Sequence, residues 1–330
     1  MTPYPAFQPS RLWQNPHAQT LIPATGRVRQ PHVTYQRLVH PLPDGDSLAV
    51  DRVNTPDASD RAPMLVVLHG LEGSSDSTYA RALVAAASAR GWLAQVLHFR
   101  DCGDHRNTLP RRYHAGETGD IDHYLSALRR EYPQRQMFVA GYSLGGNALL
   151  KYLGEAERPA TVDAAVAVSV PFELQGASDA VSTGFSKLYQ YHLMRNMKRA
   201  LAAKFTPQNA PFDYAAAMRC VTFEAFDDQV TAPLHGFDGK DGYYSACSCR
   251  QFLGAIKTPT LIIHSRDDPF TSPQIIPTPE EVSSAVTLQV TERGGHVGFI
   301  EGRSPATWRF WLPGRILHFL EGQRTNNQQT

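Results

Sequence analysis

The sequence predicts an α/β fold, in which helices cover both faces of a mostly parallel central sheet. Largely apolar runs at residues 64–68, 92–99 and 162–170 have the composition of strands that are buried on both faces. Amphipathic stretches at residues 77–90 and 120–131 lie between these runs and have the apolar spacing of surface helices. Strands and helices that alternate in this way indicate a parallel sheet with helical crossovers.

The sheet is predicted to begin with a hairpin and to end with two further strands. Residues 33–38 and 47–53 flank a Pro/Asp/Gly turn at residues 43–46, a pattern typical of two antiparallel strands. Apolar runs at residues 258–264 and 286–290 supply the last two strands. Ligands of such sheets bind beyond the carboxyl ends of the strands, so the loops after the strands are the candidate site.

The chain is long enough for one α/β domain with additions, and we expect residues 1–330 to form a single domain. Residues 1–30 are rich in proline and polar side chains, which predicts an arm packed on the body. Residues 171–250 interrupt the alternation with two aromatic-rich helical stretches, 185–205 and 211–226. We interpret this stretch as a helical cap over the site; an ordinary pair of packing helices is the alternative.

Composition argues against several functional classes. The net charge of +1 gives no electrostatic reason to expect nucleic-acid binding. No secretory signal opens the sequence, and no apolar run reaches the length of a transmembrane helix, so we expect a soluble cytoplasmic protein. The Cys247-x-Cys249 pair lacks the remaining spacing of a zinc site, which favours free thiols and no metal.

The strongest motif is G-x-S-x-G, present as Gly141-Tyr142-Ser143-Leu144-Gly145 between an apolar run and a small-residue helix start. A serine on a sharp strand-to-helix turn has strained backbone angles, and glycines two residues away on either side avoid collisions there. The turn exposes the hydroxyl at a helix N-terminus, where the N–H groups favour a developing oxyanion. The context predicts that Ser143 is a nucleophile rather than part of a chance Gly/Ser turn.

A second glycine-bearing loop, His69-Gly70-Leu71-Glu72-Gly73, directly follows the buried run at residues 64–68. It lacks the residues of a P-loop or of a dinucleotide fingerprint, so we do not expect a nucleotide cofactor. In enzymes with a nucleophile elbow, one oxyanion N–H comes from the residue after the serine and the other from a loop of this kind. Leu144 and Leu71 are the predicted donors, and His69 is expected to order the loop.

An acid and a base follow in the required order Ser…Asp…His. Asp267 and Asp268 come after the strand predicted at 258–264, and His296 comes after the strand predicted at 286–290. The histidine takes the serine proton and returns it to the leaving group, while a carboxylate orients the imidazole. We prefer Asp268, which directly precedes Pro269, and keep Asp267 as the alternative.

Taken together, the motifs make the chain similar to the YheT-like branch of the α/β-hydrolase superfamily, which is related to eukaryotic ABHD proteins and plant embryogenesis-associated hydrolases. The resemblance spans most of the chain. It rests on Asn15-Pro16-His17-Ala18-Gln19-Thr20, His69-Gly70-Leu71-Glu72-Gly73, Arg112-Tyr113-His114-Ala115-Gly116, the nucleophile elbow Gly141-Tyr142-Ser143-Leu144-Gly145-Gly146-Asn147, Asp267-Asp268-Pro269-Phe270 and Gly295-His296-Val297-Gly298. It implies the α/β-hydrolase fold and a serine hydrolase of small carboxylic esters with the triad Ser143–Asp268–His296 and no cofactor. It does not carry a lipid substrate over to this chain.

Two alternatives to ester hydrolysis stay open. Amide or thioester cleavage and acyl transfer use the same nucleophile, base and acid, so the sequence hardly separates them from ester hydrolysis. A non-catalytic binding protein with this fold is the other alternative, although all three candidate triad residues are present. The sequence does not determine the preferred acyl length or the oligomeric state.

Overall fold

The computed structural model describes residues 3–55, 59, 61–155 and 161–326. Its main sheet has eight strands in the order β1-β2-β4-β3-β5-β6-β7-β8, with antiparallel pairing only where β2 meets β1 and β4. The strands are β1 (Tyr35–Pro41), β2 (Ser47–Val53), β3 (Met64–Leu68), β4 (Leu93–Leu97), β5 (Met137–Tyr142), β6 (Ala164–Val168), β7 (Thr260–Ser265) and β8 (Val286–Thr291). The predicted mostly parallel α/β fold is confirmed.

Helices cover both faces of the sheet and fill the connections. In chain order they are α1 (Pro16–Ala24), α2 (Thr78–Ser88), α3 (Gly119–Glu131), α4 (Leu144–Gly154), α5 (Leu174–Val181), α6 (Lys187–Lys204), α7 (Tyr214–Arg219), α8 (Phe223–Phe226), α9 (Ala232–His235), α10 (Gly239–Cys247) and α11 (Leu312–Asn326). No helix in the described ranges is both long and apolar enough to cross a membrane. The four cysteines are free and buried.

Alternate residues of the central strands pack into two apolar layers. On one face, Leu65 and Phe138 lie in a cluster with Leu83 of α2 and Ile316 of α11. The next residue of each strand points the other way, because successive side chains of a strand alternate between faces. On that second face, Met64, Val66 and Val139 pack with Ile121 and Leu125 of α3 and Leu149 of α4. Burial on both faces explains why these strands are continuous apolar runs.

The N-terminal arm contains a helix that the sequence analysis did not predict. Its signal was available: Asn15 is an N-cap whose side-chain oxygen accepts the backbone N–H groups of His17 and Ala18, and Pro16 occupies the first helical position. Trp13, just before the helix, is completely buried beside Val28 and Ile300. The arm is therefore part of the packed structure, next to the segment that carries the candidate histidine.

Helices α5 to α10, here called the helical insertion (residues 174–247), lie between β6 and β7. The prediction of a single helical stretch over 211–226 was wrong, because the helix is interrupted at residues 220–222 and α7 and α8 are separate. Thr222 starts a new helix there, and its hydroxyl accepts the N–H of Ala225 at 3.2 Å. The domain bounds 1–330 and 1–30 and the cap bounds 171–250 stay predictions.

One buried side chain ties the helical insertion to the helix that follows the candidate nucleophile. Asn147, in the first turn of α4, donates to the carbonyl groups of Ala115 and Cys247 at 2.9 and 2.8 Å. Its side-chain oxygen accepts the N–H of Cys249 at 3.0 Å. The end of the helical insertion is thereby held against α4.

Candidate active site

Ser143 stands on the turn between β5 and α4 with φ 52° and ψ −121°. The left-handed φ is unfavourable for a residue with a side chain, so the turn needs glycines where its neighbours approach closely. A Cβ on Gly141 would lie 2.5 Å from the carbonyl oxygen of Gly145, and a Cβ on Gly145 would overlap the carbonyl oxygen of His69. The two glycines of the motif are therefore required by the tight packing of the turn.

Ser143, His296 and Asp268 form a continuous series of hydrogen-bonding contacts. The Ser143 Oγ lies 2.9 Å from Nε2 of His296, and Nδ1 of His296 lies 2.8 Å from Oδ2 of Asp268. Both the histidine and the aspartate are buried, and the second aspartate oxygen accepts the N–H of Phe270 at 2.8 Å. The three predicted site residues lie together in an arrangement suited to proton transfer. Their catalytic roles stay predictions.

Asp267, the alternative acid, contacts the backbone of the histidine loop instead of the imidazole. Its Oδ1 accepts the N–H of Gly295 at 3.0 Å, and its other oxygen lies 3.8 Å from Nη1 of Arg293. Partial burial raises the pKa of Asp267 above its usual range. The geometry therefore favours Asp268 as the partner of His296 and gives Asp267 a supporting position.

The N-terminal arm holds the loop of His296 from the other side. The His296 N–H donates to the Thr20 hydroxyl at 3.0 Å, and the N–H of Ile300 donates to the side chain of the fully buried Gln19 at 2.7 Å. A Cβ on Gly298 would overlap the carbonyl oxygen of Gln19, so only glycine fits this approach. Thr20 and Gln19 both belong to the motif at 15–20, but the residue pattern alone did not predict their contacts with the histidine loop.

Aromatic side chains pack on the imidazole of His296. The ring of Phe270 is stacked on it, with centroids 4.1 Å apart and an interplanar angle of 19°. Tyr189 of α6 stacks in turn on Phe270, with ring centroids 5.0 Å apart, and its hydroxyl lies 2.8 Å from Nδ1 of His17. His17 therefore belongs to the packing around the site, and the stacked rings restrict rotation of the imidazole.

The glycine-bearing loop after β3 approaches the serine closely. A Cβ on Gly70 would lie 3.2 Å from the Ser143 Cβ, and the N–H of Gly70 donates to the hydroxyl of Tyr79 at 2.8 Å. Within the described part of the chain, the N–H groups of Leu71 and Leu144 have no hydrogen-bond acceptor. Both leucines line the cavity that contains Ser143. Two unpaired donors beside a nucleophile are what an oxyanion hole requires, and this assignment stays a prediction.

Glu72 fixes the backbone of this loop. Its φ is 52°, an unusual value for a residue with a side chain. Its carboxylate accepts from Nη2 of Arg112 at 2.8 Å and from the hydroxyl of Tyr113 at 2.9 Å, while its backbone N–H donates to the same hydroxyl at 2.7 Å. Arg112 and Tyr113, which belong to the motif at 112–116, thus hold the residue next to Leu71.

His69 orders the start of the loop in its neutral form. Its Nδ1–H donates to the carbonyl oxygen of Gly70 at 2.7 Å, and its Nε2 accepts the N–H of Phe99 at 3.2 Å. Burial, with a smaller contribution from His98, lowers the pKa of His69 to about 3. These contacts agree with the expectation that His69 orders the loop and is not a general base.

His114 is also a packing residue. Its ring contacts the rings of His235, Phe237 and Tyr243, and burial lowers its pKa to about 3. A neutral, enclosed imidazole of this kind is a structural group.

A cavity of about 690 Å³ opens over Ser143 and His296. It lies within the size range of small-molecule sites. The helical insertion supplies much of the wall, and most of the lining is apolar or aromatic, including Leu21, Leu174, Val181, Phe185, Leu193, Met197, Phe223 and Phe270. No group of metal-binding side chains occurs in the described ranges. The cavity is suited to a largely apolar ligand with one reactive polar centre.

The sequence model of the alpha/beta hydrolase fold family matches residues 63–303, which include the six strands β3 to β8 of the main sheet. The chain belongs to this family. It is 42% identical over 317 residues, 95% of this chain and 92% of the relative, to the Escherichia coli (strain K12) protein named "Putative esterase YheT". The predicted resemblance to the YheT-like branch is confirmed.

More distant relatives and solved structures agree with this family. A Saccharomyces cerevisiae protein named monoacylglycerol lipase is 30% identical over 260 residues, 76% of this chain and 58% of the yeast protein. The Pyrococcus furiosus esterase Pf2001 superimposes with a TM-score of 0.55 at 17% identity, covering 95% of this chain and 98% of that one. At that identity, the structural match shows the fold alone.

Proposed function

We propose that this protein hydrolyses carboxylic esters with Ser143 as nucleophile, His296 as general base and acid, and Asp268 as the group that orients His296. The observation that carries the proposal is the pair of contacts made by His296, 2.9 Å to the Ser143 hydroxyl and 2.8 Å to the Asp268 carboxylate. A serine hydroxyl is a weak nucleophile at neutral pH and needs a base within hydrogen-bond reach. The family and the esterase and lipase names of the relatives support the same reaction class.

The reaction proceeds in two halves. In the first, His296 Nε2 takes the proton of Ser143 as Oγ attacks the ester carbonyl carbon. The resulting oxyanion accepts hydrogen bonds from the backbone N–H groups of Leu71 and Leu144. The carbon–oxygen bond to the alcohol then breaks, and His296 gives its proton to the departing alcohol oxygen. In the second half, His296 deprotonates a water that attacks the acyl-enzyme, which releases the acid and returns the proton to Ser143.

The cavity supports an ester with a substantial apolar portion as substrate. Its walls carry Leu21 of the arm and leucine, valine, phenylalanine and methionine side chains of the helical insertion. Burial of each additional methylene group of an acyl chain in such a cavity is favourable by about 0.8 kcal/mol. A medium-length acyl chain should therefore bind better than an acetyl group until the cavity is filled.

The test is hydrolysis of a series of p-nitrophenyl esters of increasing acyl length by the wild-type chain and by Ser143→Ala. We expect kcat/KM to rise from acetate towards medium chains and to fall to background in the variant. Equal rates from the wild-type chain and Ser143→Ala would refute the proposal. Addition of an alcohol acceptor to the same assay separates hydrolysis from acyl transfer, because transfer yields a new ester at the expense of free acid.

A further inference from the structure

One acidic side chain lies in the wall of the otherwise apolar cavity. Among the lining residues that the structure describes, Asp227 is the only carboxylate, and no lysine or arginine is present to neutralise it. An uncompensated charge in apolar surroundings is unfavourable unless it is hydrogen-bonded. Asp227 takes no part in the proposed reaction, so its presence in the cavity needs another explanation.

The backbone around Asp227 has an unusual local structure. Residues Asp227–Thr231 form a single π-helical turn between α8 and α9, and π-turns inside helices occur frequently at functional sites. The Thr231 hydroxyl donates to Oδ1 of Asp227 at 2.7 Å, and the Tyr244 hydroxyl donates to Oδ2 at 2.8 Å. These two donors hold the carboxylate in one orientation at the cavity wall.

The carboxylate retains capacity for a further donor. An ionised carboxylate offers about four acceptor positions, and Thr231 and Tyr244 occupy two of them. Burial raises the pKa of Asp227 to about 6, although both hydrogen bonds act in the opposite direction. The group is therefore ionised at neutral pH but incompletely stabilised by the protein, and a ligand donor would complete its surroundings.

A hydroxyl donor, that of Tyr243, belongs to the same cavity lining as Asp227. The Tyr243 hydroxyl accepts the N–H of Ala115 at 2.9 Å, which leaves its own proton free to be donated. Tyr243 lines the same cavity as Asp227, and its ring packs at a centroid distance of 5.4 Å on the ring of Tyr244, whose hydroxyl donates to Asp227. A ligand hydroxyl suits this pair best, because it can donate to Asp227 and accept from Tyr243 at once.

We propose that Asp227 and Tyr243 form a polar subsite that binds a free hydroxyl group of the ester substrate. The inference rests on the proposed function for the identity of the ligand as an ester. The subsite is close to the reacting centre, because Asp227 and Tyr243 also line a small second cavity together with Leu71 and Leu144, the predicted oxyanion donors. The preferred substrates are therefore hydroxylated esters, with the hydroxyl on either the alcohol or the acyl portion.

The test measures binding without turnover, in the Ser143→Ala background. The probes are three ethers of equal medium alkyl length: a glycerol monoether, a methyl ether, and a methyl ether with one hydroxyl on the alkyl chain. The added variants are Asp227→Asn, Asp227→Leu and, as the matched control, Asp228→Asn. Asp228 is the exposed neighbour, and asparagine there can still accept the N–H of Lys240.

We expect at least one hydroxylated ether to bind about tenfold to a hundredfold more tightly than the plain methyl ether, as for a hydrogen bond to a charged group. Asp227→Asn should reduce this ratio by about tenfold, because a neutral acceptor is weaker. Asp227→Leu should bring the ratio of the two affinities close to one, and Asp228→Asn should leave this ratio unchanged. If Asp227→Leu does not fold, the result with Asp227→Asn decides.

The position of the preferred hydroxyl identifies the portion of the ester that the subsite recognises. Equal affinities for all three ethers, or a preference that Asp227→Asn leaves undiminished, would overturn the subsite. Since Ser143→Ala binds without reacting, this result is independent of catalysis. Failure of the wild-type chain to hydrolyse esters would instead refute the proposed function and leave the binding result standing.

Discussion

The hydroxyl of Thr20 accepts a hydrogen bond from the backbone N–H of His296 at 3.0 Å, across 276 positions of sequence. The same hydroxyl donates to the carbonyl oxygen of Pro16 at 2.8 Å, so its orientation is fixed by α1. The N-terminal arm thus sets the position of the residue that we propose as the general base. It is a part of the site rather than a peripheral extension.

Replacement of Thr20 by valine tests this role of the arm. Thr20→Val removes the acceptor of the His296 N–H, and we expect kcat/KM to fall by about tenfold because small displacements of a catalytic group are costly. The matched control is Ser10→Ala, which removes an arm hydroxyl that donates to the carbonyl oxygen of Gly302 at 2.9 Å, away from the cavity lining. Equal losses in both variants would indicate a general effect on the arm and contradict the specific role of Thr20.

The two neighbouring aspartates should differ sharply on substitution. Asp268→Asn is expected to lower kcat by about 10³ to 10⁴, because the imidazole loses the carboxylate that fixes its tautomer. Asp267→Asn should cost less than about tenfold, since an asparagine oxygen can still accept the N–H of Gly295. Steady-state kinetics on one soluble ester measure both values, and the reverse ranking would assign the acid to Asp267.

Tyr113 provides a test of the oxyanion loop that leaves the packing intact. Tyr113→Phe removes the hydroxyl that contacts both the backbone and the carboxylate of Glu72, while the ring can keep its stacking on Phe99. We expect kcat to fall by about tenfold with little change in KM, a fraction of the effect of losing an oxyanion donor. Tyr152→Phe, a buried tyrosine on α4 whose hydroxyl contacts Asp122, is the control. An unchanged kcat in Tyr113→Phe would argue against a loop held by Glu72.

Asp227 should give the native state a distinctive dependence on pH. Its pKa is raised to about 6 in the folded protein, so between about pH 4 and pH 6 the native state holds a proton that the unfolded chain has released. The free energy of unfolding should therefore fall, relative to Asp227→Asn, as the pH rises through this window, and the difference should be constant above it. Chemical denaturation at several pH values measures this, and parallel pH profiles would contradict the raised pKa of Asp227.

The sequence predicted the sheet well because its signals are local. The strands β3, β5, β6 and β7 are buried on both faces, so their apolar runs are visible without knowledge of the partners. The elbow at Ser143 was equally visible, because its glycines are required by contacts within a few residues and with one adjacent loop. The fold class and the family are accordingly confirmed.

The supporting parts of the site were not visible from local pattern. The contact of Thr20 with His296 and that of Arg112 with Glu72 join segments 276 and 40 positions apart. Asp227 gives no sequence signal either, since an aspartate in a polar helical stretch normally faces solvent. Only the path of the helical insertion brings it to the cavity. Roles that depend on such long-range contacts become apparent when the fold is known.

The central claim is that Ser143 is an activated nucleophile. The most direct measurement is labelling with a fluorophosphonate, followed by the intact mass of the wild-type chain and of Ser143→Ala. The account predicts stoichiometric addition of one phosphonyl group to the wild-type chain and none to the variant, because the reagent reacts with serines that a neighbouring base deprotonates. No labelling of a folded wild-type sample, or equal labelling of both chains, would contradict it.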